Sequence, residues 1–581
     1  MEGGESSNAP FCGTRKISRT SKARSFRQSL VLQPMLTFHF LAVIGFAVLA
    51  SIVVLRRYAA GARQGMLSVG ECDLAVAPCP LWEKTKPLIV IEVGPATAAS
   101  SLPQAAIQRE RAACRRIAST YLLSAAACSL LISIVLLSIS GIEITPGRLI
   151  ALTGAMTGAA VPMIAISVGW PFWHGLLIWV ALESVVALLS VIVPMAVRLM
   201  RAAEFDPMIA MNGVYVLQWT AISLAFPFAL AFATGVRKLR GVAPLSLALI
   251  SVLGLVPLLG SKGTESFRAG ENTFFQANGA TVAIYASYFV LAPVAGWIAW
   301  RTLKALSTAY DAKRFSDTQL ISNVWWLIFV ATLIAPLADN GGAWWVLLLA
   351  GVMSFVLFPI LSGTVLSASA ISGTDESRPT LLLLRLFGHT SRSERFFDRV
   401  VGRWRLLGPV TVISAPDIVA RTFDTMDFLR FVTGRASQVF VESQQQLDQR
   451  LSALDLRPDP DGRYRVNTFW CRKNSWQATA TALMSRCDAV VVDVRGLTAG
   501  PVGVRFELEQ LAGRIPADHV VLVVDKNTDR AILESSVAAA SGTLRLVRVE
   551  RNSASETRRV FETLLAAARN AGNPAPPPRK A

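Results

Sequence analysis

Two acidic residues flank the loop that follows the most apolar run of the C-terminal third. Asp493 closes the predicted strand 489–494, and Glu507 lies in a predicted helix over 504–512. Such an apolar run predicts a central strand of a parallel sheet, so both acids should lie near the carboxyl edge of that sheet. A carboxylate there could act as a nucleophile or stabilise an oxocarbenium-like centre at a glycosidic carbon. A glutamate that only complements the dipole of its own helix would give the same sequence.

A second group of candidate residues suits a phosphate. Its loop precedes a predicted helix over 391–407 and reads Gly388, His389, Thr390, Ser391 and Arg392. Backbone N–H groups at a helix N terminus bind anions, and Arg392 would add positive charge. Thr390 or Ser391 could equally serve as an ordinary N-cap. Trp476, at the start of another predicted helix, could stack on a nucleobase or pack in the core.

The elements that must position these residues alternate between strand and helix. Apolar runs predict strands at 380–387, 409–413, 464–470, 489–494, 520–524 and 544–549, the last as an edge strand. Helical spacing between them predicts helices, including 391–407, 475–485, 504–512, 529–540 and 554–569. This alternation predicts a doubly wound, flavodoxin-like parallel sheet. The soluble α/β domain would occupy 379–569, after a linker at 369–378 and before a disordered tail at 570–581.

The preceding part of the chain has the composition of a membrane protein. The whole chain is 52% hydrophobic and only 17% charged, whereas soluble domains average about 25% charged residues. Residues 36–368 are predicted to form a helical membrane domain, because apolar stretches of about 20 residues span the hydrocarbon core. Eight or nine such helices are predicted, at 36–55, 119–140, 149–168, 172–197, 209–235, 241–260, 280–300, 323–338 and 342–366.

Basic residues set the predicted orientation. The loops 237–240 and 301–314 are rich in lysine and arginine, which favours the cytoplasm for both and for the C-terminal domain. The N terminus, a basic disordered arm at 1–35, would lie outside with nine helices and inside with eight. A polar loop is predicted at 56–118, and its Cys72 and Cys79 would form a disulfide or remain free thiols.

Other function classes find little support in the sequence. The net charge is +18, but the basic residues are spread out without a nucleic-acid motif, so we expect lipid rather than nucleic acid as their partner. Seven cysteines and four histidines show no metal-ligand spacing, and no metal or bound cofactor is predicted. Glu183 lies within a predicted span, where an ionisable residue indicates either a transport site or a carboxyl that is hydrogen-bonded inside the bundle.

The residues from 489 to 511 resemble a known structural pattern. The strand AVVVDV followed by GVRFELEQL is similar to TIR-like and nucleoside 2-deoxyribosyltransferase-like domains, whose helix carries a catalytic glutamate in patterns such as W-C-x-x-E-L or G-T-x-x-E. Glu507 falls on that glutamate and Gly503 on the glycine, while Val504 replaces the threonine. The resemblance implies a nucleotide-binding domain, with NAD or a nucleoside as substrate and a homo-oligomer as the working form.

The wider arrangement resembles bacterial multi-spanning proteins that end in such a domain. The shared features are an L-L-R-x-F-like strand at 383–387, G-P-V at 408–410, W-Q at 476–477 and E-L at 507–508. This resemblance implies a cell-membrane protein with a C-terminal cytoplasmic domain and carries no activity of its own. Together with the TIR-like resemblance, it implies a membrane-anchored domain that acts in signalling or defence by cleaving N-glycosidic bonds. The alternatives are a nucleotide-sensing or protein-interaction module without catalysis, and a transporter with a regulatory tail.

Overall fold

The computed structural model describes the α/β domain and part of the chain before it. The described residues are 52–67 except 55, 87–94, 104–139, 143–168 except 159, 300–334, 344–370, 378–385, 391–414, 440–472, 474–498 and 502–572, with isolated positions at 49, 174–184, 293–298, 430 and 433. The arm 1–35, the loop 237–240, Glu183, Cys72, Cys79 and the predicted spans at 209–235 and 241–260 lie outside these residues. Apart from positions 49 and 293–298, the described residues belong to one compact unit, Ser51–Leu245 and Trp300–Ala581.

Eight parallel strands form the central sheet. They are β1 Leu88–Glu92, β2 Leu381–Arg385, β3 Val410–Ser414, β4 Phe440–Val441, β5 Val466–Cys471, β6 Ala489–Asp493, β7 Val520–Val524 and β8 Gly542–Arg548. The strand order is β1-β8-β7-β6-β2-β3-β5-β4, and every pairing is parallel. The predicted parallel, doubly wound α/β architecture is therefore confirmed for the C-terminal domain.

Helices cover both faces of this sheet. The helices with defined bounds are α1 Gln104–Ile139, α2 Pro146–Gly158, α3 Val161–Ser167, α4 Asp317–Ile334, α5 Trp344–Ala370, α6 Ser391–Trp404, α7 Gln444–Ser452, α8 Trp476–Met484, α9 Val502–Arg514, α10 Arg530–Ser536 and α11 Ala554–Gly572. Residues 56–67, within the predicted polar loop, and 300–311 are also helical. One core packs α7, α8, α9 and α10 against the sheet. The other packs α6 and α11 against the opposite face. Strand side chains alternate between the two cores, so Val490 and Val492 of β6 point to the first, and Ala489 and Val491 to the second.

Strand β1 comes from the segment that the sequence predicts as a polar loop. Leu88 pairs with Gly542 and Glu92 with Leu546, so β8 is flanked on both sides and the prediction of an edge strand at 544–549 was wrong. The β-branched residues of β1 form an apolar run that is too short to span a bilayer. The free edge of β8 supplies hydrogen-bond partners for the backbone of β1. A further strand that was not predicted, β4, covers the other edge.

Two described helices are long and apolar enough to cross a membrane. They contain the stretches Ala106–Ile139 in α1 and Leu349–Ala368 in α5. The predicted span at 149–168 is instead divided into α2 and α3, of 13 and 7 residues; at about 1.5 Å per residue neither reaches across a hydrocarbon core of about 30 Å. Within the described part of the chain, the number of candidate spans is therefore two.

A glycine allows close approach of the chain segments that enter β2 and β3. A Cβ atom at Gly408 would lie 2.1 Å from the backbone oxygen of Pro379. We expect Gly408→Ala to lower the free energy of unfolding by about 1–3 kcal/mol, because two strands must move apart. Gly402→Ala is the matched control: its Cβ meets nothing within 4 Å, and replacing a helical glycine should stabilise by about 0.5–1 kcal/mol. Equal denaturation midpoints for the two variants would contradict this packing.

Candidate functional site

The carboxyl ends of β2 and β6 form the topological switch point of the sheet. From β2 the chain passes through α6 to β3, and from β6 it passes through α9 to β7 on the other side. The two connecting helices cover opposite faces, and open α/β sheets bind ligands at such a switch point, outside the carboxyl ends of the strands. Arg385 pairs in register with Asp493 at this edge.

The predicted phosphate-binding loop follows β2 at the switch point. Helix α6 begins at Ser391, so its N terminus lies at this edge. Gly388 and Thr390 lie outside the described residues, as do the side chains of Ser391 and Arg392. The geometry of the loop toward a phosphate therefore stays a prediction.

Asp493 is held by a buried ion pair. Its two carboxylate oxygens each accept a hydrogen bond from Arg495, at 2.7 Å from Nε and 2.7 Å from Nη2. Arg495 also donates to Asn552 Oδ1 at 2.5 Å and lies over the ring of Phe396 at 4.8 Å. Only 2% of Asp493 and 5% of Arg495 is exposed. The carboxylate therefore anchors the loop after β6 to α6 and to the loop before α11, on the α6–α11 face of the sheet.

Glu507 lies on the opposite face. It belongs to the second turn of α9, and its helix neighbours Val504 and Leu508 pack in the core shared with α8 and α10. The side chain is 1% exposed. The two predicted catalytic acids therefore belong to opposite faces of the sheet, with Glu507 buried on the α9 side.

An aromatic contact links α9 to α8. The rings of Trp476 and Phe506 meet edge to face, with their centroids 5.4 Å apart. Trp476 is the first residue of α8, which follows β5 at the carboxyl edge, and Gly503 lies in the first turn of α9. The structure thus brings Trp476 and the start of α9 together on the Glu507 face. Phe506 was not identified from sequence, although it immediately precedes the glutamate.

A second polar cluster, which we call the junction, joins the α/β domain to residues 310–318. Tyr310 donates a 2.6 Å hydrogen bond to Asp317 Oδ1, and Arg465 lies over the Tyr310 ring at 3.8 Å. Arg465 also pairs with Asp459 at 2.8 Å, while Thr318 donates to Asp461. The junction places the end of the basic segment 301–314 against the domain. The sequence predicts this segment as a loop, but residues 300–311 are helical. No local pattern predicts the junction, because its members lie far apart in the chain.

Burial makes the junction sensitive to protonation. Desolvation raises the pKa of Asp459 to about 6, against the attraction of Arg465, and Asp461 and Asp317 raise it further. Because this folded-state pKa exceeds the ordinary value of 3.8, the folded state binds more protons between pH 3.8 and about 6, and its stability falls as the pH rises through that window.

Asp459→Asn should flatten this pH dependence. We expect the variant to lose less stability than wild type between pH 3.8 and 6, by at most about 1.4 kcal/mol per pH unit. The measurement is the thermal midpoint of the full-length protein against pH. Asp455→Asn serves as the control, because Asp455 pairs with Lys313 at a more exposed position. Parallel pH profiles for wild type and Asp459→Asn would contradict the assignment.

Comparison with known proteins identifies no relative. No protein-family model matches the chain, and neither the curated proteins nor the solved structures include a match. Among the described residues, no group of three or more histidine, cysteine, aspartate or glutamate side chains is placed to hold a metal ion.

Proposed function

We propose that this protein is a multi-pass protein of the cell membrane whose cytoplasmic TIR-like domain binds a nucleotide and cleaves its N-glycosidic bond. The substrate would be NAD or a nucleoside. The observation that carries this proposal is the position of Glu507: a buried carboxyl group on a helix that follows a switch-point strand, next in sequence to Phe506, whose ring meets that of Trp476.

The proposed chemistry needs one carboxylate near the glycosidic carbon. When the carbon–nitrogen bond breaks, its electron pair leaves with the base, and positive charge develops on the sugar as an oxocarbenium-like centre. Glu507 would stabilise that charge through its carboxylate, in the manner of glycosidases. A water molecule then adds its oxygen to the sugar carbon and releases a proton, which gives a free base and a free sugar. For NAD the products are nicotinamide and ADP-ribose.

The remaining predicted residues take binding roles. Trp476 would stack against the base, the turn at Gly503 would allow close approach of the ligand, and the loop with Gly388, Thr390, Ser391 and Arg392 would hold phosphate at the start of α6. Asp493 takes a different role from the one expected from sequence. Its oxygens are engaged by Arg495, so we assign it to holding the loop in place rather than to chemistry at the glycosidic carbon.

The membrane location is supported by the two candidate spans and by the junction. Helix α5 precedes β2 in the chain, and the end of the basic segment 301–314 contacts the domain at the junction. Loops rich in lysine and arginine favour the cytoplasm, which supports the same side for the domain. Strand β1 must share that side, because it pairs with β8. The proposed homo-oligomer rests on the TIR-like resemblance.

A nucleotide sensor without catalysis is the second candidate. The ion pair between Asp493 and Arg495 favours it, because only one of the two predicted acids is then left for catalysis. The junction also favours it, because it connects the domain to the start of α4. In this case the ligand would shift the junction without being consumed. The transporter alternative depends on Glu183, which lies outside the described residues.

Turnover and binding by the full-length protein separate the two candidates. The protein would be reconstituted at high density in lipid vesicles, to allow assembly, and offered NAD and nucleosides, with release of the free base as the readout. The enzyme predicts base release, whereas the sensor predicts saturable NAD binding without release. Absence of both binding and release would contradict the proposed function. Resistance of the protein to alkaline extraction from membranes tests its membrane location independently.

A further inference from the structure

A basic groove lies where α1 meets the α/β domain. Its volume is about 300 Å³, and its charged lining consists of Glu110, Arg111, Arg115, Arg403 and Arg558. The groove thus combines residues of α1, α6 and α11. It is on the α6–α11 face of the sheet and is separate from the Glu507 face.

The charges of the groove do not balance. Glu110 accepts two hydrogen bonds from Arg403, at 2.6 Å and 2.7 Å, and this arginine is held over the ring of Phe561 at 4.2 Å. Arg558 pairs with Glu562 at 2.6 Å.

Arg111 and Arg115, one helical turn apart, are exposed and make no ion pair or side-chain hydrogen bond within the described part of the chain. Two guanidinium groups therefore remain for an anion from outside the protein.

The groove lies at the depth of lipid headgroups, if α1 crosses the membrane. Residues 117–139 contain no charged side chain, and at 1.5 Å per residue they extend about 35 Å, enough for the hydrocarbon core. Arg115 is then just outside the hydrocarbon, and Arg111 one turn further. Anionic headgroups of the cytoplasmic leaflet occupy this level.

We propose that this groove binds a phosphate-bearing anion between Arg111 and Arg115, and that the bilayer supplies it as the headgroup of an anionic phospholipid. Arginine suits phosphate because its planar fork donates two parallel hydrogen bonds. Arg403, fixed by Glu110 and Phe561, and Arg558 form the opposite wall. A bound headgroup would tie α1 to α6, the helix that begins at the switch point. The inference rests on the membrane location in the proposed function and is independent of catalysis by Glu507.

The test compares lipid binding by two double variants of equal charge. Full-length protein in detergent would be titrated with phosphatidylglycerol or phosphatidylcholine, with native mass spectrometry as the readout. We expect wild type to prefer phosphatidylglycerol and R111Q/R115Q to lose about tenfold or more of that affinity, since charge-assisted hydrogen bonds are lost. R109Q/R116Q, on the same helix but outside the groove lining, is the control for non-specific attraction and should stay near wild type.

Inorganic phosphate, titrated alone by calorimetry, distinguishes the two sources of the anion. If phosphate binds through Arg111 and Arg115 and phosphatidylglycerol does not, the site takes a soluble phosphate. The proposal is overturned if both double variants lose the same amount of phosphatidylglycerol affinity. It is also overturned if wild type shows no preference for phosphatidylglycerol over phosphatidylcholine and does not bind phosphate. Two separate readouts test the proposed function itself. If the protein is not a membrane protein, alkali extracts it from membranes; if it is not a catalyst, no base is released.

Discussion

Replacing Glu507 with glutamine is expected to lower the release of base from NAD by about 100- to 10,000-fold, the range over which a positioned catalytic carboxyl group acts. Glutamine has nearly the same shape but no charge, so it cannot stabilise an oxocarbenium-like centre. The side chain is 1% exposed, and a neutral group costs less to bury than a charged one. The variant should therefore fold as well as wild type and still bind NAD, and its lost activity would report on chemistry.

Glu509→Gln is the matched control for this prediction. Glu509 lies two residues further along α9, is half exposed, and pairs with Arg505 at 3.0 Å. A surface pair of this kind contributes about 1 kcal/mol or less, so turnover should stay close to wild type. If Glu507→Gln retains full base release while the thermal midpoints of all three proteins agree, Glu507 has no catalytic role. A parallel loss in both variants would likewise point away from a specific site.

Replacing Arg495 with methionine should lower the free energy of unfolding of the α/β domain by about 3–5 kcal/mol, because Asp493 would keep a buried charge without its partner. The change also removes the contacts of Arg495 with Asn552 and Phe396. This loss is large against the about 5–15 kcal/mol that stabilises a typical protein. Denaturant titration of the full-length protein, followed by aromatic fluorescence, measures it.

Two further variants separate ion-pair loss from general disruption. In Asp493→Leu/Arg495→Met both charges are removed, and replacing a buried pair by apolar groups is often nearly neutral, so most of the stability should return. Arg530→Met breaks an exposed pair with Glu92 and should cost about 1 kcal/mol or less. A small effect of Arg495→Met, comparable to that of Arg530→Met, would contradict the anchoring role of Asp493.

The regular part of the domain could be predicted because its signals are local. Apolar runs such as 489–494 and 520–524 gave strands, and helical spacing gave α6, α9 and α11, so the doubly wound order of elements followed from the chain alone. Strand β1 could not be assigned in this way. Its five residues lie about 290 residues before β2, and only the vacant edge of β8 gives them a partner.

The candidate site was predictable in position but not in detail. The loops at 388–392 and 493–503 do follow the two switch-point strands. The engagement of Asp493 depends on a tertiary contact, because Arg495, which donates to both of its carboxylate oxygens, also donates to Asn552. The contact of Trp476 with Phe506 likewise depends on how α8 packs against α9, which no local pattern specifies.

Hydrogen–deuterium exchange of the full-length protein, with and without saturating NAD, tests ligand binding at the switch point most directly. The proposed function predicts slower exchange in peptides covering 386–392 and 494–507, because a bound nucleotide would shield both loops and steady the start of α9. The basic groove, covered by peptides from 106–116, should not change. Protection confined to that groove, or the same exchange with and without NAD in both switch-point loops, would contradict nucleotide binding at this site.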